Sequence, residues 1–279
     1  MPSPSNHNPS GYQWVRVWPT NAPRARRFTG GALLVGAILA YTEHWLSFAN
    51  ATVAAVLGLA LISGSGKTPR PTVRINSDGR PKLSPNVFKN PNFQGLALLE
   101  CAGILAIWNG VSGQAPGWFI WAGGVIIVTL SPILCLPLVT RSQRYIVFGE
   151  HELRVVNTFK TSGLDRRYPW ASISNVELLA EVSSRATLPS VTFRCPHESV
   201  IENSVPGRSD YLRDGQDSWR IPVLWWNVEV NAFLATLRYF AAEPAMARDA
   251  TASDVRSMLT APNWVHRRQA PRQPLLART

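Results

Sequence analysis

Glu100 sits inside an apolar run, about 9–10 Å from its start at ~1.5 Å per residue, so a carboxyl group is carried deep into a hydrophobic helix. Ionisable groups at such depth are costly and invite one of two readings. One is an ion or proton site; the other is a hydrogen-bonded carboxyl that holds helices together, with Ser131, Thr129 or Asn109 as partners. The second is favoured, because no basic residue and no chain of polar groups accompanies Glu100 to form a relay. Gly64-Ser65-Gly66-Lys67-Thr68 resembles the end of a phosphate-binding loop, but Leu61 stands where that pattern requires glycine and Pro69 follows where it requires a helix. Nucleotide binding is not expected. Cys195, His151 and His197 lack ligand spacing, Glu43 and His44 make only a polar turn, and no Ser/His/Asp set or carboxylate pair emerges. The chain is therefore expected to be neither an enzyme nor a cofactor or metal protein.

Two further groups concern binding. Arg154, Lys160, Arg166 and Arg167 cluster near expected strand turns and are candidate contacts for anionic lipid, against the plainer reading of solvated loop charges. Trp225 and Trp226, next to the polar insertion 196–217, are candidate partner-binding residues, since tryptophan dominates interface hot spots. Their alternative is packing against the closing helix; for Trp219 the core is favoured.

The elements that position these residues fall into two regimes. Residues 28–42, 45–62, 94–111 and 117–139 are four apolar stretches, read as two transmembrane helical hairpins. The turns within the hairpins carry no Lys or Arg. Arg16, Arg24, Arg26 and Arg27 precede the first stretch, and Lys67, Arg70, Arg74, Arg80, Lys82 and Lys89 lie in the middle connection 63–93. The positive-inside rule then places both termini and the connection in the cytoplasm. Within that connection, 72–75 before Asp78-Gly79 reads as a small hairpin. From 143 the period changes to two: 144–148, 152–159, 165–170, 172–182, 190–195 and 219–224 read as strands. Val230, Phe233, Leu234, Leu237 and Phe240 then give a helix, with Asn227 as its expected cap. Tyr12, Trp14 and Trp18 fit either a short strand or an interfacial anchor, and 244–279 reads as a basic tail with a short helix near 254–259. The expected fold is a four-helix membrane bundle in two hairpins plus a β-sandwich or barrel capped by a C-terminal helix. Its expected divisions are a disordered N-terminus over 1–27, a membrane domain over 28–140, a β domain over 141–243 and the tail.

Three pieces carry a family resemblance: Tyr145-Ile146-Val147-Phe148 leading to Leu153-Arg154-Val155-Val156, Trp170-Ala171-Ser172-Ile173, and the helix after Asn227. Together they resemble the bacterial pleckstrin-homology-like domains appended to membrane helices, of the low-molecular-weight protein antigen 6 group. Trp170 and Ile173 look like that group's W-x-x-I signature. The resemblance implies a domain without assigned catalysis that binds lipid headgroups or proteins, in a bacterial inner membrane.

The formal charge of +11 is unevenly spread. Residues 1–144 hold twelve basic against three acidic residues, 145–254 eleven against fourteen, and five Arg follow. Charge beside the apolar stretches suits topology and anionic lipid, each cation being worth ~1 kcal/mol near such a leaflet. Nucleic-acid binding is not expected, for want of a basic face on a folded domain. The reading is a non-catalytic membrane adaptor or regulator with lipid and protein partners. The alternative is a small transporter or channel, which homo-oligomerisation would have to complete.

Overall fold

Two helices, α3 (Pro91–Val111) and α4 (Trp118–Thr140), have 21 and 23 residues and rise ~32 and ~35 Å, enough for a ~30 Å hydrocarbon core. The computed structural model describes residues 11–18, 24–43, 48–63, 71–85, 88, 91–140, 144–157, 164–183, 186–203, 212–226, 228–273 and 276–278. The chain divides into two compact units, one helical (Thr20–Lys67 and Val87–Val139) and one β-rich (Met1–Pro19, Thr68–Asn86 and Thr140–Thr279).

In the helical unit, α1 (Arg24–Thr42) and α2 (Phe48–Ser63) precede α3 and α4. The expectation of four membrane spans is corrected here. Among the described residues only Phe93–Val111 and Trp118–Cys135 are long and apolar enough to cross a bilayer, and the apolar parts Thr29–Thr42 and Asn50–Leu59 fall short. The reason is length and charge. Arg24, Arg26 and Arg27 occupy the first four of the 19 residues of α1, leaving 15 (19 − 4) that rise only ~22 Å, and the 16 residues of α2 rise ~24 Å. The helices α3 and α4 pair through Gly103 and Gly123: a Cβ on Gly123 would collide with the Gly103 carbonyl oxygen, and one on Gly103 would lie 2.9 Å from Ile126 Cγ2. Small residues at such crossings let backbones approach in apolar surroundings.

The β-rich unit contains two sheets. The larger is ordered β1 (Thr72–Ile75), β2 (Pro81–Ser84), β3 (Arg144–Phe148), β4 (Glu152–Asn157), β5 (Leu164–Pro169) and β8 (Ile201–Glu202), every neighbouring pair antiparallel. In the smaller, β6 (Ser174–Ser183), β7 (Ala186–Arg194) and β9 (Ser218–Pro222) pair antiparallel, and β10 (Leu276–Arg278) adds parallel to β6. The hairpin expected in the 63–93 connection is β1–β2. Its turn runs through Gly79 at φ +76°, a left-handed conformation that glycine adopts without a Cβ penalty. Period-two alternation buries Leu164, Arg166 and Tyr168 on one side of β5, and Trp219 and Ile221 on one side of β9. These faces meet in one core with α5 (Val230–Ala242), whose Phe233, Leu237 and Phe240 are fully buried. Tyr168 packs edge-on to Phe193 at 5.1 Å, and Trp170 lies 5.4 Å from Phe240.

The cap of α5 is Glu229, not the expected Asn227, which lies outside the described residues. Glu229 is 6% exposed and accepts from Ala232 N at 2.7 Å, Asn231 Nδ2 at 2.8 Å and Trp14 Nε1 at 3.3 Å. Burial raises its pKa above the usual carboxylate value, while the hydrogen bonds from Ala232, Asn231 and Trp14 pull it down by less. Protonation is thus favoured by folding. The stabilisation it contributes is complete below the unfolded value of ~4.3 and is lost as pH rises through the folded value. Glu229→Gln, neutral throughout and still able to accept from Ala232, is expected to flatten the fall in melting temperature above that point. An unchanged pH profile would show that Glu229 is not its source.

Residues 11–18 and the C-terminal segment belong to this unit rather than trailing from it. Asn231 Oδ1 accepts from Val17 N and Trp18 N at 2.8 and 2.7 Å, and its Nδ2 donates to Trp18 O at 3.2 Å. Tyr12 Oη donates to Met258 O at 2.7 Å, and Arg16 forms a bridge with Arg272. Beyond α5 come α6 (Pro244–Asp249), α7 (Ala252–Met258) and α8 (Trp264–Gln269). Val255, Met258 and Leu259 join the core, and Arg256 Nη2 donates to Val73 O on β1 at 2.6 Å.

Candidate functional site

The hairpin β1–β2 extends the larger sheet through the pairing of β2 with β3, and this places side chains of five strands side by side. Cα partners run Arg74 to Lys82, Lys82 to Val147, Val147 to Arg154 and Arg154 to Arg167. Directly opposed residues project to the same face. Three of the resulting cations, Arg74, Lys82 and Arg154, line an open cleft of about 510 Å³ together with Thr72, Ser84 and Tyr145.

The cations of this cleft differ in how they are paired. Arg154 gives Asp165 a two-point ion pair at 2.8 and 2.7 Å, and that hydrogen-bonded carboxylate raises the guanidinium pKa further. Lys82 Nζ stands 3.7 Å from the centroid of the Tyr145 ring, a cation–π contact. Neither Lys82 nor Arg74 has a carboxylate partner among the described residues. Among the described residues the one acid lining the cleft is Asp78, which accepts from Asn76 Nδ2 and Ser77 Oγ within the hairpin turn.

Of the three candidate lipid contacts that are described, Arg154, Arg166 and Arg167, only Arg154 lines the cleft. Arg167 sits one strand further along the same row, 3.5 Å from Glu152. Arg166 faces the core. It is 2% exposed, donates to Glu202 at 2.6 Å and lies 4.9 Å from the Trp219 ring. A group so buried cannot meet a lipid headgroup without the sheet opening. Lys160 lies outside the described residues.

Trp226 is 1% exposed, within the core, and the side chain of Trp225 lies outside the description. Trp219 is fully buried and donates to Cys195 O at 2.8 Å. Glu100 accepts a hydrogen bond from Ser131 Oγ across α3 and α4. The Gly64 to Thr68 stretch and His44 lie outside the described residues, and among those described no group of three or more His, Cys, Asp or Glu could hold a metal. Burial pushes the Cys195 thiol up to about 11, so it is protonated at neutral pH and a poor nucleophile.

Arg74 and Lys82 were not singled out by sequence as a pair, although the signal was present. Within the hairpin, alternation sends Val73 and Leu83 inward and so Arg74 and Lys82 outward.

The architecture defines a β-rich domain of two sheets closed by a helix, in a chain that also carries an apolar helical hairpin. No protein-family model matches the chain, and neither a curated protein nor a solved structure matches it.

Proposed function

We propose that the protein is a non-catalytic membrane adaptor or regulator: α3 and α4 anchor it in the bilayer, and the β-rich unit is a pleckstrin-homology-like interaction module. The observation that carries this reading is the apolar surface of α3 and α4. Trp108, Trp121, Val125 and Val128 are 67%, 80%, 63% and 74% exposed, an apolar surface that suits lipid and is unfavourable in water. The turn joining α3 to α4 carries no Lys or Arg, whereas the sequences flanking the pair are basic. The positive-inside rule favours an inner-membrane hairpin with its flanks, and hence both chain ends, in the cytoplasm. The order β3-β4-β5, then β6-β7-β9, then a closing helix supports the module assignment. Glu100, bonded to Ser131, fits the role of a link between helices, which is why transport is the weaker reading.

Alkaline extraction of membranes followed by cross-linking and affinity purification tests both halves. The full chain is expected to stay in the membrane pellet, while Val125→Arg/Val128→Arg, at ~2.5–3.5 kcal/mol per arginine in a span, should release a large fraction. Release of the unaltered chain would sink the anchor. Protein partners recovered with the full chain should be lost on removal of residues 145–243, and partners independent of those residues would sink the adaptor role.

A further inference from the structure

We infer that the cleft lined by Arg74, Lys82 and Arg154 is a binding site for a phosphoryl group, and that the hairpin β1–β2 exists to complete it. The inference rests on the reading of the β-rich unit as a binding module and not on the anchor.

The argument begins with an arrangement that is unfavourable without a ligand. Arg74 and Lys82 are direct cross-strand partners in a four-residue hairpin ladder. Like charges placed opposite one another destabilise a strand pair. Most cations nearby are neutralised: Arg80 by Glu150, Arg154 by Asp165, Arg167 by Glu152. Arg74 and Lys82 are left without a carboxylate among the described residues. An anion between them would turn mutual repulsion into two charge-assisted contacts.

Geometry narrows the class of anion. Lys82 is held over the Tyr145 ring, so its ammonium is already positioned at the cleft. The bidentate bond to Asp165 fixes Arg154 at the opposite wall. Ser84 and Tyr145 bring hydroxyl-bearing side chains to the same space, and in Thr72, which also lines it, Oγ1 is buried without a hydrogen-bond partner. Cations supply charge and hydroxyls supply donors, the set that a tetrahedral oxyanion with several acceptor oxygens requires. A volume of about 510 Å³ exceeds a bare phosphate and admits a phosphate ester. Asp78 at the rim disfavours a second anionic group on the same ligand. A phosphate monoester fits best, whether free or as a lipid headgroup.

The test is calorimetric titration of the full chain in neutral detergent with two probes, inorganic phosphate and dihexanoyl phosphatidic acid. Binding of at least one is expected, weakened roughly tenfold or more by Arg74→Gln and again by Lys82→Gln, the usual effect of losing a charged hydrogen bond. Arg74 is exposed, so Arg74→Gln should fold, with an unchanged or higher melting temperature as the repulsion is relieved. Arg194→Gln, the same charge change at an exposed position on β7, should leave affinity within about twofold, the small effect typical of an isolated surface charge. Binding of both probes assigns the site to phosphate esters in general, and binding of the lipid alone assigns it to a headgroup. Binding of neither, or an equal loss with Arg194→Gln, overturns the inference. Failure here with domain-dependent partners still recovered would remove the ligand and leave the adaptor reading standing.

Discussion

Trp170→Ala is expected to destabilise the β-rich unit by about 3–5 kcal/mol, the range for removing a large buried aromatic. Trp170 is fully buried in a short 3-10 turn between β5 and β6, near Phe148 and Phe240, and its Nε1 donates to Gly149 O at 3.0 Å. The substitution would open a cavity where the two sheets and α5 converge, and would orphan the Gly149 carbonyl at the β3–β4 turn. Domains have ~5–15 kcal/mol in total, so this single change would remove a large share of the unit's stability. Trp170→Phe, keeping most of the ring but not the donor, should cost far less. Urea unfolding in detergent, followed by near-ultraviolet circular dichroism, reads both. A midpoint unmoved by alanine would mean that the core does not depend on this ring.

The second large effect is expected at Asn231, a fully buried polar residue in the first turn of α5. One amide side chain meets Val17 N, Trp18 N, Trp18 O and Glu229 Oε1. Asn231→Ala removes every one of these at once, at about 1–3 kcal/mol for each buried group left without a partner. Residues 11–18 should detach before the rest unfolds. Hydrogen exchange at the amides of Val17 and Trp18 should accelerate by more than tenfold, with little change in the central strands β3 and β4. Uniform acceleration through the domain would instead make Asn231 a general core residue, and no acceleration would remove its role as the clamp.

Legibility in the sequence followed the strength of the local pattern. Strands β3, β4, β5, β6, β7 and β9 and helix α5 overlap the segments that strand composition or helical spacing marks out, through Val, Ile, Phe and Trp in the strands and Phe233, Leu237 and Phe240 in the helix. Apolar content alone makes α1 and α2 look like spans, but the arginines at the start of α1 and the 16-residue length of α2 leave both short of bilayer thickness. Helix α7 lies close to the short helix expected near 254–259 and is held by Val255 and Met258, whereas α6 and α8 were hidden by an Ala, Pro and Arg composition that carries little periodicity. For the site, Arg166 shows a signal that was there to use: in Leu164-Asp165-Arg166-Arg167-Tyr168, period two sends it inward with Leu164 and Tyr168. The cleft itself could not be read, because it depends on β2 pairing with β3 across some 60 intervening residues, a long-range register that local patterns do not encode.

That pairing also sets a timetable for synthesis. The β1–β2 hairpin is complete at Ser84, but its sheet neighbour begins only at Arg144, after the whole of α3 and α4 has been made. At ~5–20 residues per second the ribosome takes roughly 3–12 s to cover this interval, far longer than a hairpin needs to form. During those seconds β2 is an unpaired edge, open to pairing with another nascent chain. Its sequence, Pro81-Lys82-Leu83-Ser84, carries a proline and a lysine on that edge, the residues that discourage such pairing. Lys82 would then serve the chain twice, first as a guard against aggregation on the ribosome and later as part of the finished cleft.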